Sequence, residues 1–268
     1  MSTITKITTQ KKRKQRYNIF IDGKYAFAVD EKVLVEYKLA KGLKLEANEI
    51  IELLDAESLQ ASYVTAIHFL SFRQRSKTEI ERHLLKKEIE PDHIEIVMNR
   101  LENEKLLDDL EFAKSFVQER IRQKKKGPRV IISELFEKGI SKENIDEAIK
   151  LMTFNDQFEI ALASAQKRAD RPKKESVQKQ KEQVRTLLMR NGFDNDVISE
   201  VMQEVIIEQD EESEWEAVKH HGERMYRRYA KKSSGSELRQ KLMSALYTRG
   251  FKNEQINKFV DEILNNEE

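Results

Sequence analysis

The chain of 268 residues has no cysteine, three prolines, eight glycines and a single tryptophan. Without cysteine there is no disulfide framework, no thiolate metal site and no thiol nucleophile, which suits a reducing, cytoplasmic compartment. No run of about 18 apolar residues occurs, so no membrane-spanning helix is expected, and the basic N-terminus lacks the apolar stretch of a secretory signal. No glycine-rich loop precedes Lys-Ser or Lys-Thr, which excludes nucleotide hydrolysis by a P-loop. Scarce Pro and Gly leave long stretches free to be helical, and charge fills them. Asp, Glu, Lys and Arg make up 36% of the residues, against roughly 25% in an ordinary globular domain. The 49 basic and 48 acidic side chains nearly cancel, so any affinity for a polyanion depends on how they are segregated.

Strand character is confined to the N-terminal segment. Tyr17, Ile19 and Ile21 alternate with polar or outward positions, Asp22-Gly23 supplies a hairpin turn, and Tyr25 to Val29 follow; Ile4 and Ile7 suit a further strand. Helical periodicity begins at Asp30, stops near Lys41-Gly42, and resumes weakly from Ala47 to Leu59.

From residue 60 onward one pattern occurs four times, anchored at Glu88-Ile89, Gly139-Ile140, Gly192-Phe193 and Gly250-Phe251, with spacings of 51, 53 and 58 residues. Eight residues before the anchors lie Ile80, Ile131, Val184 and Leu242; four before lie Leu84, Leu135, Leu188 and Leu246; three before lie Leu85, Phe136, Met189 and Tyr247. These offsets predict one apolar helix face. Glycine at three anchors suits a helix end with positive φ. Downstream, Ile94, Ile145, Ile198 and Ile256 open a further helix, and an amphipathic helix precedes each pair. The predicted fold is mainly α: an elongated array of tandem three-helix, helix-turn-helix-like repeats with a small N-terminal β-hairpin region. The expected divisions are an extension at 1–58 and repeats at 59–106, 107–155, 156–207 and 208–268.

Basic residues recur at one place in each repeat, where the first helix ends and leads to the second. They are Arg73 and Arg75; Arg120, Arg122, Lys124, Lys125, Lys126 and Arg129; Lys167, Arg168, Arg171, Lys173 and Lys174; and Arg224, Arg227, Arg228, Lys231 and Lys232. Lys6, Lys11, Lys12, Arg13, Lys14 and Arg16 add an N-terminal arm with no acid before Asp22. Acids gather at Glu208 to Glu216, at Glu267-Glu268, and on the third helices. A basic edge facing a polyanion is expected, with salt-dependent binding as phosphates release counterions. The plainer reading of any one cluster is a solvated helical face.

Catalytic signals are weak. His220 and His221 are adjacent rather than one helical turn apart, so they predict packing or polar roles and no metal site. His68, His83 and His93 are dispersed and expected at the surface. Asp108-Asp109 suits a helix N-cap before Phe112-Ala113, and the helical spacing of Trp215 predicts a core position rather than a base-stacking platform. No cofactor and no catalytic residue is expected. The third helices are acidic, which argues against sequence-specific readout of the major groove.

The run Arg73-Gln74-Arg75-Ser76-Lys77-Thr78-Glu79-Ile80, then Leu107-Asp108-Asp109 with Phe112-Ala113, then Arg120, Gly127, Ile132, Glu134-Leu135 and Lys138-Gly139-Ile140, resembles the signature of the RecX family, regulators of the RecA recombinase. The hairpin from Arg16-Tyr17 to Val29, with Ile4 to Ile7, resembles the extension of its longer members. Glu88 departs from the anchor glycine, and the third and fourth repeats diverge. The resemblance implies a non-enzymatic monomer that binds along the RecA nucleoprotein filament, in contact with single-stranded DNA and in second place duplex DNA. It would restrain ATP hydrolysis, filament growth and strand exchange in recombination and DNA repair. A helix-turn-helix DNA-binding regulator and a helical-repeat protein scaffold are the alternatives.

Overall fold

Two consecutive residues with positive φ, Asp22 at 49° and Gly23 at 85°, form the tight turn whose twist matches antiparallel strands. They join β2 (Arg16–Ile21) to β3 (Lys24–Asp30), and β2 pairs on its other side with β1 (Ser2–Thr9). With β4 (Lys44–Leu45) the strands form an antiparallel sheet of order β3-β2-β1-β4. The structure is a computed structural model that describes residues 1–171, 175–207 and 211–265. Two compact units emerge, one of Met1–Ala113 with Phe136–Asn144, the other of Lys114–Leu135 with Ile145–Glu268.

In the first unit the inward residues of the sheet, Ile4, Ile19 and Val29, close a core with Val33 of α1 (Glu31–Glu36), Leu39, Leu45 and Leu53. Leu53 belongs to α2 (Ala47–Leu70), a single 24-residue helix that continues through the point where the apolar pattern fades near residue 59. Polar burial explains the faded pattern. Glu57, Gln60 and Ser62 are buried on α2; Glu57 accepts the Asp30 N–H at 2.6 Å and pairs with Arg16 at 2.6 Å, while Gln60 accepts from Arg100 at 3.1 Å. Buried polar groups with such partners hold elements together as apolar ones do, but they erase the hydropathy signal.

The first repeat adds α3 (Lys77–Lys86) and α4 (Pro91–Asn103) to α2 around Ala66, Ile80, Leu84, Ile94, Val97 and Leu101. His93, expected at the surface, is buried and lies 3.0 Å from Asp55 Oδ1. The second repeat consists of α5 (Asp109–Gln123), α6 (Pro128–Glu137) and α7 (Lys142–Ile149); Asp108 accepts from the N–H groups of Leu110 and Glu111 and so caps α5 as expected.

The second unit continues with α8 (Phe154–Ala169), α9 (Val177–Arg190) and α10 (Asn195–Glu204), then α11 (Glu211–Tyr229), α12 (Gly235–Thr248) and α13 (Asn253–Asn265). Leu238, Leu242, Leu246, Phe251, Ile256, Phe259 and Val260 pack with Ala217 and Val218 of α11. Trp215 packs against this core, with the Lys258 ammonium 4.5 Å from its ring centroid, and buried His221 lies 3.5 Å from Glu175.

All four anchors have left-handed backbone, with φ of 59° at Glu88, 77° at Gly139, 87° at Gly192 and 79° at Gly250. Neighbouring repeats interlock there. In the first unit Ser76, which caps α3, also donates to the carbonyl of Lys138, beside Gly139, at 2.7 Å. In the second unit the Gly127 N–H donates to Asn191 O at 2.8 Å, and Ser176 Oγ, the cap of α9, donates to Arg249 O at 2.5 Å. The start of one repeat's middle helix thus satisfies a carbonyl left unbonded at the end of the next repeat's middle helix.

One expectation is corrected. Leu85, Phe136, Met189 and Tyr247 are 51%, 50%, 57% and 66% exposed. Residues four apart share a helix face, whereas a residue one position further on is turned by about 100°. The positions eight and four before each anchor form the core face, and the position three before faces away from it.

Candidate nucleic-acid interface

The middle helices of the first and third repeats start at side-chain caps, Ser76 and Ser176, each accepting from a backbone N–H of the first turn. In the second repeat α5 ends at Gln123, Lys124 turns the chain with φ of 50°, and Pro128 opens α6, the helix position where a missing N–H is harmless.

The structure sorts the sequence-predicted cations into three groups. The first group is held by carboxylates, rings or amides of the protein itself. Arg73 forks onto Glu79 with both contacts at 3.0 Å, and Lys138 Nζ reaches the same carboxylate at 2.9 Å. Burial opposes ionisation of Glu79, but hydrogen bonds and charges of Arg73 and Lys138 outweigh it and hold the carboxyl down at about 2. Arg120 lies 2.7 Å from Glu134 and 4.2 Å over the Phe116 ring, and Lys126 joins it on Glu134. Burial again opposes, and the Lys126 and Arg120 contacts prevail, so the Glu134 carboxyl lies below its ordinary range. Arg75 packs its guanidinium 4.0 Å over Phe69, and burial pushes its pKa down. Arg168 donates to Gln183 at 2.7 Å.

The second group is exposed but has an ionic neighbour. Arg122 pairs with Glu119 at 2.9 Å, Arg129 with Asp194 at 2.6 Å, and Arg227 with Glu223 at 3.8 Å. Such pairs at the surface contribute about 0–1 kcal/mol and exchange readily for a phosphate.

The third group is exposed and has no anionic partner among the described residues: Lys124 and Lys125; Lys167 and Arg171; and Arg224, Arg228, Lys231 and Lys232. Arg228 lies 5.8 Å from the Tyr229 ring centroid. Lys173 and Lys174, with Glu208, Asp210, Glu267 and Glu268, lie outside the described residues.

The third helices carry the opposite sign outward. Asp92, Glu95 and Glu102 on α4, Glu143, Asp146 and Glu147 on α7, Asp196, Glu200 and Glu204 on α10, and Glu254, Asp261 and Glu262 on α13 are all exposed. An exposed acidic helix is repelled by the phosphates that line a groove. Sequence reasoning missed the four exposed apolar side chains Leu85, Phe136, Met189 and Tyr247, although the offset arithmetic contains them.

These features define a class: a tandem three-helix-repeat protein with a β-hairpin extension, basic connectors and acidic third helices. Family models for RecX match in chain order, the regulatory protein RecX N-terminal domain at 2–46, the first three-helix domain at 63–101 and the second at 108–149. The third three-helix domain matches twice, at 155–202 and 211–260. The chain is 42% identical to the regulatory protein RecX of Oceanobacillus iheyensis, covering 100% of both, and 40% identical to that of Bacillus subtilis, covering 98% of this chain and 99% of that one. A crystal structure of regulatory protein RecX superposes with a TM-score of 0.68 at 32% identity, covering 76% of this chain and 100% of that one. The chain belongs to the RecX family of regulatory proteins.

Proposed function

We propose that this protein acts as a non-enzymatic monomer on the RecA–single-stranded DNA filament, restraining ATP hydrolysis, filament growth and strand exchange. Family membership supports a regulatory role. The observation that carries the mechanism is the set of connector cations left exposed without anionic partners, among them Lys124, Lys125, Lys167, Arg171 and Arg224. Arginine and lysine held in internal pairs cannot release a phosphate's counterions without breaking those pairs, whereas these can.

The exposed apolar side chains Leu85, Phe136, Met189 and Tyr247 complement the cations. They stand at one repeat position, and a series of equivalent apolar points suits a partner built of identical protomers. In this reading the cations meet DNA phosphates and the apolar series meets RecA.

The test is RecA ATP hydrolysis on single-stranded DNA, titrated with this protein below one molecule per RecA at two salt concentrations. Lys124→Glu with Lys125→Glu is expected to weaken inhibition at both salts. Phe136→Ser with Met189→Ser is expected to weaken it while leaving the salt dependence as in the parent protein. Full inhibition by the charge variant at both salts would remove the connectors from the interface. An inert, folded parent protein would move the reading to a scaffold for another partner.

A further inference from the structure

The N-terminal unit contains a groove of about 980 Å³ that the repeat pattern does not account for. One lip is the connection between β1 and β2, where Arg13 and Lys14 line the groove and Lys11 and Lys12 stand just before them. All four are exposed, and none has an anionic partner among the described residues. Lys87, just past α3, is exposed on the opposite side.

The wall between these cations is aromatic. Phe69 of α2 lies flat on His83 of α3, with ring centroids 3.8 Å apart and planes 4° from parallel, and the Arg75 guanidinium lies 4.0 Å from the Phe69 centroid. Phe72 follows the end of α2, edge-on to His68 at 5.0 Å, with 70% of its surface exposed. Val64, also half exposed, continues the apolar strip along α2. Asp30 also lines the groove, where it accepts from the Lys32 N–H and Gln60 and stands as a single carboxylate among Arg13, Lys14, Arg16 and Lys87; Glu57 pairs with Arg16.

Cations on both lips and an exposed ring between them are the two elements of a surface for single strands, where backbone phosphates follow positive charge and unpaired bases stack on aromatic faces. A duplex keeps its base faces stacked inside and has nothing to offer Phe72. An acidic peptide would satisfy the lips but leave the aromatic wall without a flat partner.

We infer that the groove between the β1–β2 connection and the α2–α3 wall is a single-stranded DNA site, with Phe72 stacking on a base while Arg13, Lys14 and Lys87 hold the flanking phosphates. This site is separate from the repeat connectors and requires no RecA. Burial, then the charges of Lys87, Arg75, Lys86 and His68, push the His83 pKa below its ordinary value.

The test uses the full chain and a fluorescein-labelled oligothymidylate without RecA, read by anisotropy, with the same-length duplex in parallel. Phe72→Ala is expected to weaken single-strand binding by about tenfold, the scale of losing one base stack, and to leave duplex binding unchanged. Phe72→Trp is expected to restore it. Arg13→Glu with Lys14→Glu is expected to weaken the single strand as well. Photocrosslinking with an iododeoxyuridine oligonucleotide should map to the peptide containing Phe69 and Phe72 in the parent protein. Crosslinks confined to the repeat connectors, with Phe72→Ala binding at parental affinity, would overturn this site and leave the connector reading standing. Charge variants that fail while Phe72→Ala binds normally, with polyglutamate competing as well as the oligonucleotide, would assign the groove to acidic peptides instead.

Discussion

Arg73 and Lys138 converge on Glu79, and Arg120 and Lys126 on Glu134. Four cations that sequence alone counts as available to a ligand, or as plain surface charge, thus serve the fold. None of the four contacts has the three- or four-residue spacing by which helical ion pairs are read from sequence, so this division was not legible there. It has a pH signature. The Glu79 carboxyl is held at about 2 against an ordinary 4.5. A depressed folded-state pKa contributes stability that is fully present above the unfolded value and is lost as pH falls through the folded one. Glu79→Gln is expected to reduce stability at neutral pH by about 1–2 kcal/mol, a figure kept low because Arg73 is half exposed. It should also flatten the fall in stability between pH 4.5 and about 2. Urea unfolding of parent and variant across that range measures both effects. Equal slopes at acid pH would show that Glu79 titrates normally in the folded protein.

At the scale of elements, the anchor glycines were the most legible feature, because only a left-handed residue ends a helix in this way and glycine adopts that conformation without steric cost. Glu88 occupies the same conformation with a side chain. Two substitutions of opposite sign follow. Glu88→Gly relieves the left-handed strain of an exposed residue, against the greater entropy glycine gives the unfolded chain, and is expected to stabilise by about 0.5–1 kcal/mol. Gly139→Ala adds that strain, and its Cβ would stand 2.5 Å from Thr78 Cβ and 2.0 Å from Thr78 Oγ1, so a loss of about 2–4 kcal/mol is expected. Thermal unfolding of both variants decides. A neutral Gly139→Ala would mean that the junction between the first two repeats yields without loss. The less legible elements failed for identifiable reasons: α2 runs unbroken through a weak apolar pattern because Glu57, Gln60 and Ser62 are buried there, and Leu85 and its counterparts lie 100° from the core face despite their apolar type.

For the molecule as a whole, a net charge of +1 conceals a contrast among the described residues: connector cations without an anionic partner against exposed carboxylates on the third helices. Neither population is visible in composition. The unpaired cations should be distinguishable from the internally paired ones by counting the ions they release. For single-stranded DNA the logarithm of affinity falls against the logarithm of salt with a slope of about 0.7 per neutralised phosphate. If Lys124 and Lys125 each neutralise one, replacing both with Gln should reduce that slope by about 1.4 when binding to the RecA filament is measured across a salt series. Replacing Lys126, which is bound to Glu134, should leave the slope nearly unchanged and lower stability instead. The first variant removes two charges and the second removes one from the adjacent position, so net charge alone predicts the same effect per residue. A slope lost in proportion to charge removed, whichever lysine is changed, would refute the division made by the fold. A loss confined to Lys124 and Lys125 would mean that internal pairing, rather than position along the chain, determines which cations reach DNA.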